Sequence, residues 1–408
     1  MPRSSKLIPA TVARGLRSLV RDAIFFVALP TAYRLGCLRR MRQDTALFVE
    51  ETKTELSDNY TLLVNELRSR GLTCKFLSLG HYRLGVLAYY TRCLKLAYQS
   101  GSVRFIVLND ASAPISCLPI RGQTKVVQLW HACGAFKKFG MSTASKIFGD
   151  SEAEKERHPY YENLSLVTVS SPEVVWAYEE AMSLEGKGIV RPLGVSRTDV
   201  FFDRCYVDAA CKHIDEVVPA ARGKKVLLYA PTFRGDLKHP KAPSGLDLQK
   251  LCDQIGDDWM VLIKHHPFVS QRPAIPRPCA NSVVDVSDRL PIEECLCRAD
   301  ACVTDYSSLV FEYALFGRPM AFFAYDLSDY DDWRGFYYDY DQMTPGPVVT
   351  STDGLCHWIN DIGTSFDATE VFAFRDRFMS ACDGHATERI ADEMMRLAGD
   401  DVPAREAL

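Results

Sequence analysis

At 408 residues the chain exceeds the size at which one hydrophobic core usually stops growing, so two domains are expected. Apolar content of 47% and charged content of 25% are those of a folded globular protein, and a net charge of −4 argues against a general nucleic-acid binder. The 14 cysteines are scattered, with Cys295 and Cys297 the closest pair and no Cys-x-x-Cys, which argues against a zinc cluster or a disulfide framework and for free thiols in a reducing compartment.

Residues 1–42 carry nine Lys or Arg against one acid, Asp22, so the remaining chain is clearly acidic. Leu16, Leu19, Val20, Ala23 and Val27 share one helical face, and Arg14, Arg17 and Arg21 share another. The apolar run from Ala23 to Leu29 falls far short of the roughly 20 residues that span a bilayer, and no small-x-small cleavage site follows it. The pattern predicts an in-plane amphipathic helix on an anionic membrane surface, with packing on the protein itself or on a partner subunit as the alternative.

From Thr45 onward, short apolar runs alternate with helical patterns. Ala46–Val49, Cys74–Leu79, Val103–Leu108, Lys125–Leu129, Leu166–Val169 and Ile189–Leu193 read as strands. Asn59–Ser69, Leu84–Tyr98 and Pro172–Met182 read as helices between them. Gly194–Phe202 reads as a hinge, after which the pattern restarts with strands at Val226–Tyr229, Met260–Ile263, Val283–Val286, Ala301–Val303 and Met320–Phe323. Val371–Ser380 and Thr387–Leu397 read as terminal helices. Alternation of this kind predicts an α/β chain with two open parallel sheets facing each other across a cleft, and ligands beyond the carboxyl ends of the strands. The expected divisions are a membrane-associating segment over 1–42, a first Rossmann-like domain over 43–200, a second over 201–370, and C-terminal helices over 371–408 that can pack back on the first.

Unusual polar residues stand at four strand ends. The first strand end runs Trp130-His131-Ala132-Cys133-Gly134-Ala135-Phe136-Lys137-Lys138: an imidazole suited to proton transfer, a small-residue turn, and lysines suited to phosphate. The second, Pro231-Thr232-Phe233-Arg234, offers a hydroxyl and a guanidinium. The third, Lys264-His265-His266-Pro267, sends its histidines to opposite sides of the pleat, and His266, held extended by the following proline, is expected in the cleft. In the fourth, Thr304-Asp305-Tyr306-Ser307-Ser308 opens a helix that contains Glu312. A helix start with free amides and two serines attracts phosphate, and Glu312 is placed to accept from a diol. Downstream lies an acidic, aromatic loop, Asp326 to Tyr340, whose single cation Arg334 is suited to clamp a phosphate. Each feature taken singly also reads as ordinary structure: a capped helix, a hydrogen-bonded histidine, a solvated arginine.

Taken together and in this order, the Trp-His turn, Pro-Thr-Phe-Arg, Lys-x-His-Pro, Thr-Asp-Tyr-Ser-Ser and Arg-Gly-Phe-Tyr…Pro-Gly-Pro resemble the CDP-glycerol glycerophosphotransferase family, the teichoic acid primases and polymerases of Gram-positive bacteria. The resemblance covers roughly 45–365 and implies a GT-B fold of two facing Rossmann-like domains. It implies transfer of a polyol phosphate from CDP-glycerol or CDP-ribitol to a lipid-linked saccharide or polyol-phosphate acceptor. CMP is released, at the cytoplasmic face of the membrane. By position it makes His131 and His266 the histidines needed for activity, Arg197 a donor-binding arginine, and Pro231, Thr232, Ser307, Ser308 and Glu312 further donor contacts. With Gly134, Lys137, Arg234, Lys264, Thr304 and Arg334 these form the expected substrate site.

Two departures bear on which polyol is accepted: Ala-Cys-Gly-Ala-Phe-Lys follows His131 where many members have Gly-Thr-Pro-Leu-Lys, and Glu312 replaces a frequent aspartate. The Asp-x-Asp spacings at Asp329-Tyr330-Asp331 and Asp339-Tyr340-Asp341 lie in the acidic loop and not at a clear strand end, so no cofactor or metal is expected. The alternatives are a nucleotide-sugar glycosyltransferase of the same fold and a membrane-bound scaffold without turnover.

Overall fold

A computed structural model describes residues 18–80, 85–143, 157–235, 239–328 and 335–400. The expectations for Leu16, Arg14, Arg17, Arg334 and Asp329-Tyr330-Asp331 lie outside the described residues. The apolar runs form two sheets. Strands β1 (Arg42–Glu50), β2 (Thr73–Ser78), β3 (Val103–Leu108), β4 (Lys125–Gln128), β5 (Leu166–Thr168) and β6 (Val190–Arg191) make the first. Strands β7 (Lys225–Tyr229), β8 (Trp259–Ile263), β9 (Val283–Asp285), β10 (Ala301–Thr304), β11 (Met320–Phe323) and β12 (Val348–Val349) make the second. The first has order β2-β1-β3-β4-β5-β6 and the second β12-β11-β10-β7-β8-β9, with the paired strands parallel in both. β3 and β8 are buried along their whole length, as expected of strands covered by helices on both faces.

The helices used below are α1 (Leu29–Cys37), α2 (Asp58–Ser69), α3 (Val86–Ser100), α4 (Val175–Met182), α5 (Arg204–Val217), α6 (Leu309–Ala314), α7 (Thr352–Ser365), α8 (Thr369–Phe378) and α9 (Ala386–Leu397). Sequence reading missed β12, α5 and α7. It placed a hinge where Ser196–Phe202 winds as a 3-10 helix. There Asp199 accepts from the Ala386 and Thr387 amides at 3.1 and 2.7 Å and starts α9. α9 returns to the first sheet, where Ile390, Ala391 and Met394 join the core around Phe48, Tyr60 and Phe105. A single apolar cluster runs between the halves, from Trp130, Phe136 and Tyr178 to Tyr306, Phe311 and Phe378.

The amino-terminal helix has two apolar faces where one was expected. Phe25, Leu29 and Tyr33 are buried in the core that contains Leu96 and Cys93 of α3. The close approach requires Gly36, where a Cβ would stand 2.1 Å from the Tyr98 carbonyl oxygen. The predicted face is left outward: Leu19, Val20 and Val27 are exposed, as is Phe26. A π-helical turn at Ile24–Ala28 separates the registers of the two faces. No described helix is long and apolar enough to cross a membrane.

Candidate active site

Strand order decides where a site can form. In each sheet the order reverses next to the first strand, and the loops on either side of that reversal open a crevice. In the first sheet the reversal lies between β1 and β3, and β4 is the next strand. In the second it lies between β7 and β10, so Pro231–Arg234 and Asp305–Ser308 flank the crevice.

A pocket of about 290 Å³ joins the two halves. Its walls include His131, Gly134 and Lys137 from the loop after β4, Thr232 after β7, His266 after β8, and Ser307 and Ser308 after β10.

His131 follows a backbone irregularity. Trp130 has φ of 64°, a left-handed conformation that costs a bulky residue about 1–3 kcal/mol and is commonest at functional sites. Asn59 of α2 donates to the Trp130 carbonyl, and the indole stacks on Phe139 at 4.7 Å and on the His131 ring at 4.6 Å. The His131 Nδ1 lies 2.9 Å from Asp110 Oδ1 and 3.3 Å from the Asn109 carbonyl oxygen. Gly134 is the floor: its φ is +60° and a Cβ there would stand 2.2 Å from the Phe311 ring. Its amide donates to Ser170 Oγ at 3.1 Å.

His266 is wedged between Phe233 and Phe268, with centroids 5.0 and 4.6 Å away. Its Nδ1 accepts the Phe268 amide at 3.2 Å, which places the ring hydrogen on Nε2. Burial, reinforced by the nearby Lys137 charge, lowers its pKa to about 4. At neutral pH His266 is therefore an uncharged hydrogen-bond donor. His265 is buried, and its Nδ1 has no hydrogen-bond partner among the described residues.

The serine turn differs from expectation. The first amides of α6 are engaged: Leu309 donates to Ser307 Oγ at 3.3 Å, Val310 to the Ser307 carbonyl at 3.4 Å, and Phe311 to the Ser308 carbonyl at 3.1 Å. The helix starts with a tight turn that uses its own amides, and what it brings to the pocket wall is Ser307 and Ser308.

Several expected contacts are held inside the protein and do not line the pocket. Lys264 donates to the Ser287 carbonyl at 2.8 Å and to the Leu290 carbonyl. Thr304 donates to the Ala230 carbonyl at 2.8 Å, and Pro231 is buried beside it. Arg234 reaches Asp326 at 2.6 Å and Asp305 at 3.0 Å, and donates to the Thr232 carbonyl at 2.9 Å. It thereby braces the loop that presents Thr232. Glu312 is buried and paired with Arg197, Nε to Oε1 at 3.0 Å, while Arg197 Nη1 donates to the His131 carbonyl at 2.6 Å. This pair ties the two halves together directly under His131.

Sequence reasoning missed Asp110, and it singled out the Arg-Gly-Phe-Tyr segment without its pairing to the loop after β4. Phe336 forms an antiparallel bridge with Lys137, the Lys138 amide donates to the Gly335 carbonyl at 3.1 Å, and the Tyr337 amide donates to the Phe136 carbonyl at 3.1 Å. The packing accounts for the aromatic residues of the described part of that loop: Phe336 and Tyr340 meet Phe136 and Tyr306.

The chain has known relatives. It is 33% identical over 368 residues to the teichoic acid ribitol-phosphate primase of Bacillus spizizenii, covering 89% of this chain and 94% of that protein. It is also 33% identical over 359 residues to the teichoic acid ribitol-phosphate polymerase TarL of Staphylococcus aureus, covering 85% of this chain and 61% of that one. The wall teichoic acid polymerase TagF shares the fold, with a TM-score of 0.72 at 21% identity over 96% of this chain and 99% of that one. A UDP-N-acetylglucosamine 2-epimerase shares it more loosely, with a TM-score of 0.57 at 10% identity over 90% of this chain and 99% of that one. The sequence model of the CDP-glycerol:poly(glycerophosphate) glycerophosphotransferases matches residues 31–396, and the chain belongs to that family.

Proposed function

We propose that this protein transfers a polyol phosphate from a CDP-linked polyol to a hydroxyl of a lipid-linked acceptor, releasing CMP, in the synthesis of a teichoic acid-type polymer. The observation that carries the reading is the pocket shared by His131 of the first half and His266 of the second, with hydroxyls and a lysine between them. Family membership supports the donor class.

The chemistry follows from the two rings. The acceptor O–H loses its proton to His131 Nε2 as its oxygen attacks the polyol-bearing phosphorus. The bond from that phosphorus to the bridging oxygen breaks, and CMP leaves with the electron pair. A phosphate monoester anion leaves without needing a proton, so a neutral His266 suffices. It donates Nε2–H to phosphoryl oxygens, beside Ser307, Ser308, Thr232 and Lys137.

CMP release measured with CDP-glycerol, CDP-ribitol and UDP-sugars on a lipid-linked saccharide tests this reading. We expect CMP from a CDP-polyol and no UDP, and turnover that persists in EDTA. The reading on metal rests on the pocket walls, which among the described residues carry donors and no carboxylate. UDP release, or complete loss in EDTA restored by magnesium, overturns the corresponding part.

We further propose peripheral binding to an anionic membrane. Leu19, Val20, Phe26, Val27, Leu35 and Leu38 are exposed along the amino-terminal helices, with Arg34 and Arg40 exposed among them, and α3 beside them exposes Val86 and Leu87. Apolar insertion with about 1 kcal/mol per basic residue gives reversible attachment. Co-sedimentation with anionic but not neutral vesicles is expected, and absence of binding at low salt removes this part.

A further inference from the structure

His131 sits at the open end of β4 with half of its side chain exposed, so packing alone does not fix its ring. Trp130 sets the plane by stacking. The hydrogen-bond partner of Nδ1 is the Asn109 carbonyl oxygen at 3.3 Å, and the Asp110 carboxylate oxygen stands 2.9 Å from the same nitrogen. A carbonyl and a carboxylate are both acceptors. Nδ1 must donate, which leaves the Nε2 lone pair free.

We infer that Asp110 is a positioning residue for the transfer: it holds His131 in the Nδ1–H tautomer with Nε2 as proton acceptor, and it stabilises the imidazolium formed when the acceptor hydroxyl gives up its proton. The inference rests on the reading of His131 as the base. Asp110 neither gains nor loses a proton. The O–H bond of the acceptor breaks, an Nε2–H bond forms, and solvent takes that proton after CMP has left.

The strand order builds this pair. β3 and β4 are neighbours in parallel register, Leu108 beside Gln128, so the residues after each strand emerge side by side. Asn59 of α2 donates to both the Asn109 side chain and the Trp130 carbonyl, clamping the two strand ends together. Asn109 Nδ2 in turn donates to Ser57 Oγ at 3.4 Å.

Two further carboxyls stand near Asp110. Glu50 ends β1 and Glu51 follows it, on the side of β3 away from β4. Glu50 is fully buried, with one oxygen accepting the Ser57 amide at 3.0 Å and the other without a hydrogen-bond partner among the described residues. Burial, reinforced by the Asp110 carboxylate, raises Glu50 to about 7 and Glu51 to about 8. The cations nearby are Lys53 beside Glu50, Arg197 on the His131 carbonyl, and Lys137 on the pocket wall next to His266.

The test combines a spectroscopic and a kinetic arm on the full chain. Long-range proton–nitrogen spectra of histidine-labelled protein, at a pH where the ring is neutral and with His131 assigned from its alanine variant, are expected to show the Nδ1–H form. Asp110→Asn is expected to lower kcat about 10- to 100-fold with the donor KM within about threefold, and Asp110→Glu to regain part of the loss. An Nε2–H tautomer in the parent protein overturns the inference, whether or not any variant folds. So does a folded Asp110→Asn with kcat within about twofold of the parent when His131→Ala is inactive. Near-normal turnover in His131→Ala is a different failure: it removes the base, and with it the purpose of the pair.

Discussion

Replacing His131 by alanine is expected to lower kcat by about 10²- to 10⁴-fold while leaving the fold intact. The ring is half exposed and is stacked on one face of Trp130, whose other contacts with Phe139 and Tyr178 survive its removal. Truncation therefore opens no core cavity, and the melting temperature should stay close to that of the parent. Donor affinity should change little, because Thr232, His266, Ser307 and Ser308 come from the other half of the chain. Single-turnover CMP release isolates the chemical step from product departure. A folded variant that releases CMP at near-parent rates excludes His131 as the base.

The second large effect concerns stability. Glu312→Ala removes the carboxylate from a buried pair and leaves the Arg197 guanidinium without its anion. Burial pushes the Glu312 carboxyl above its usual range although Arg197 pulls the other way, so the site is dry enough for the missing charge to matter. Breaking such a pair from one side costs about 3–5 kcal/mol, whereas replacing both partners by apolar residues of similar volume is often close to neutral. Urea denaturation should therefore show a large loss for Glu312→Ala and recovery of most of it in Arg197→Met/Glu312→Leu. The double variant should still be slow, because the His131 carbonyl loses its 2.6 Å bond to Arg197. A loss below about 1 kcal/mol in Glu312→Ala rejects this account of the pair.

Most of the scaffold was legible because parallel strands covered on both faces are continuous apolar runs. Val103–Leu108 and Trp259–Ile263 need no partner to be recognised. Val348–Val349 is too short to register, and it is defined only by pairing with β11. α5 did carry a signal that was overlooked, an Asp203 cap before buried Ala210 and Ile214. In the site, His131, His266, Thr232, Ser307 and Ser308 were legible as a set, because the motifs that hold them stand in one order at successive strand ends, although each one singly also reads as ordinary structure. Arg234 and Lys264 look the same in sequence. They differ only because Asp326, 92 residues away, and the Ser287 and Leu290 carbonyls claim them, and composition does not reveal such partners. Asp110 was hidden for the same reason: its value depends on β3 lying beside β4.

The bridge between residues 136–138 and 335–337 has a consequence for engineering. It stitches the turn behind one imidazole to a segment from the opposite lobe, so the halves are not interchangeable modules. A hybrid that joined the amino-terminal lobe of this chain to the carboxyl-terminal lobe of a relative would need matched stitching residues as well as a compatible junction near Asp203. Without them the seam beside the pocket would open, however well each lobe folded.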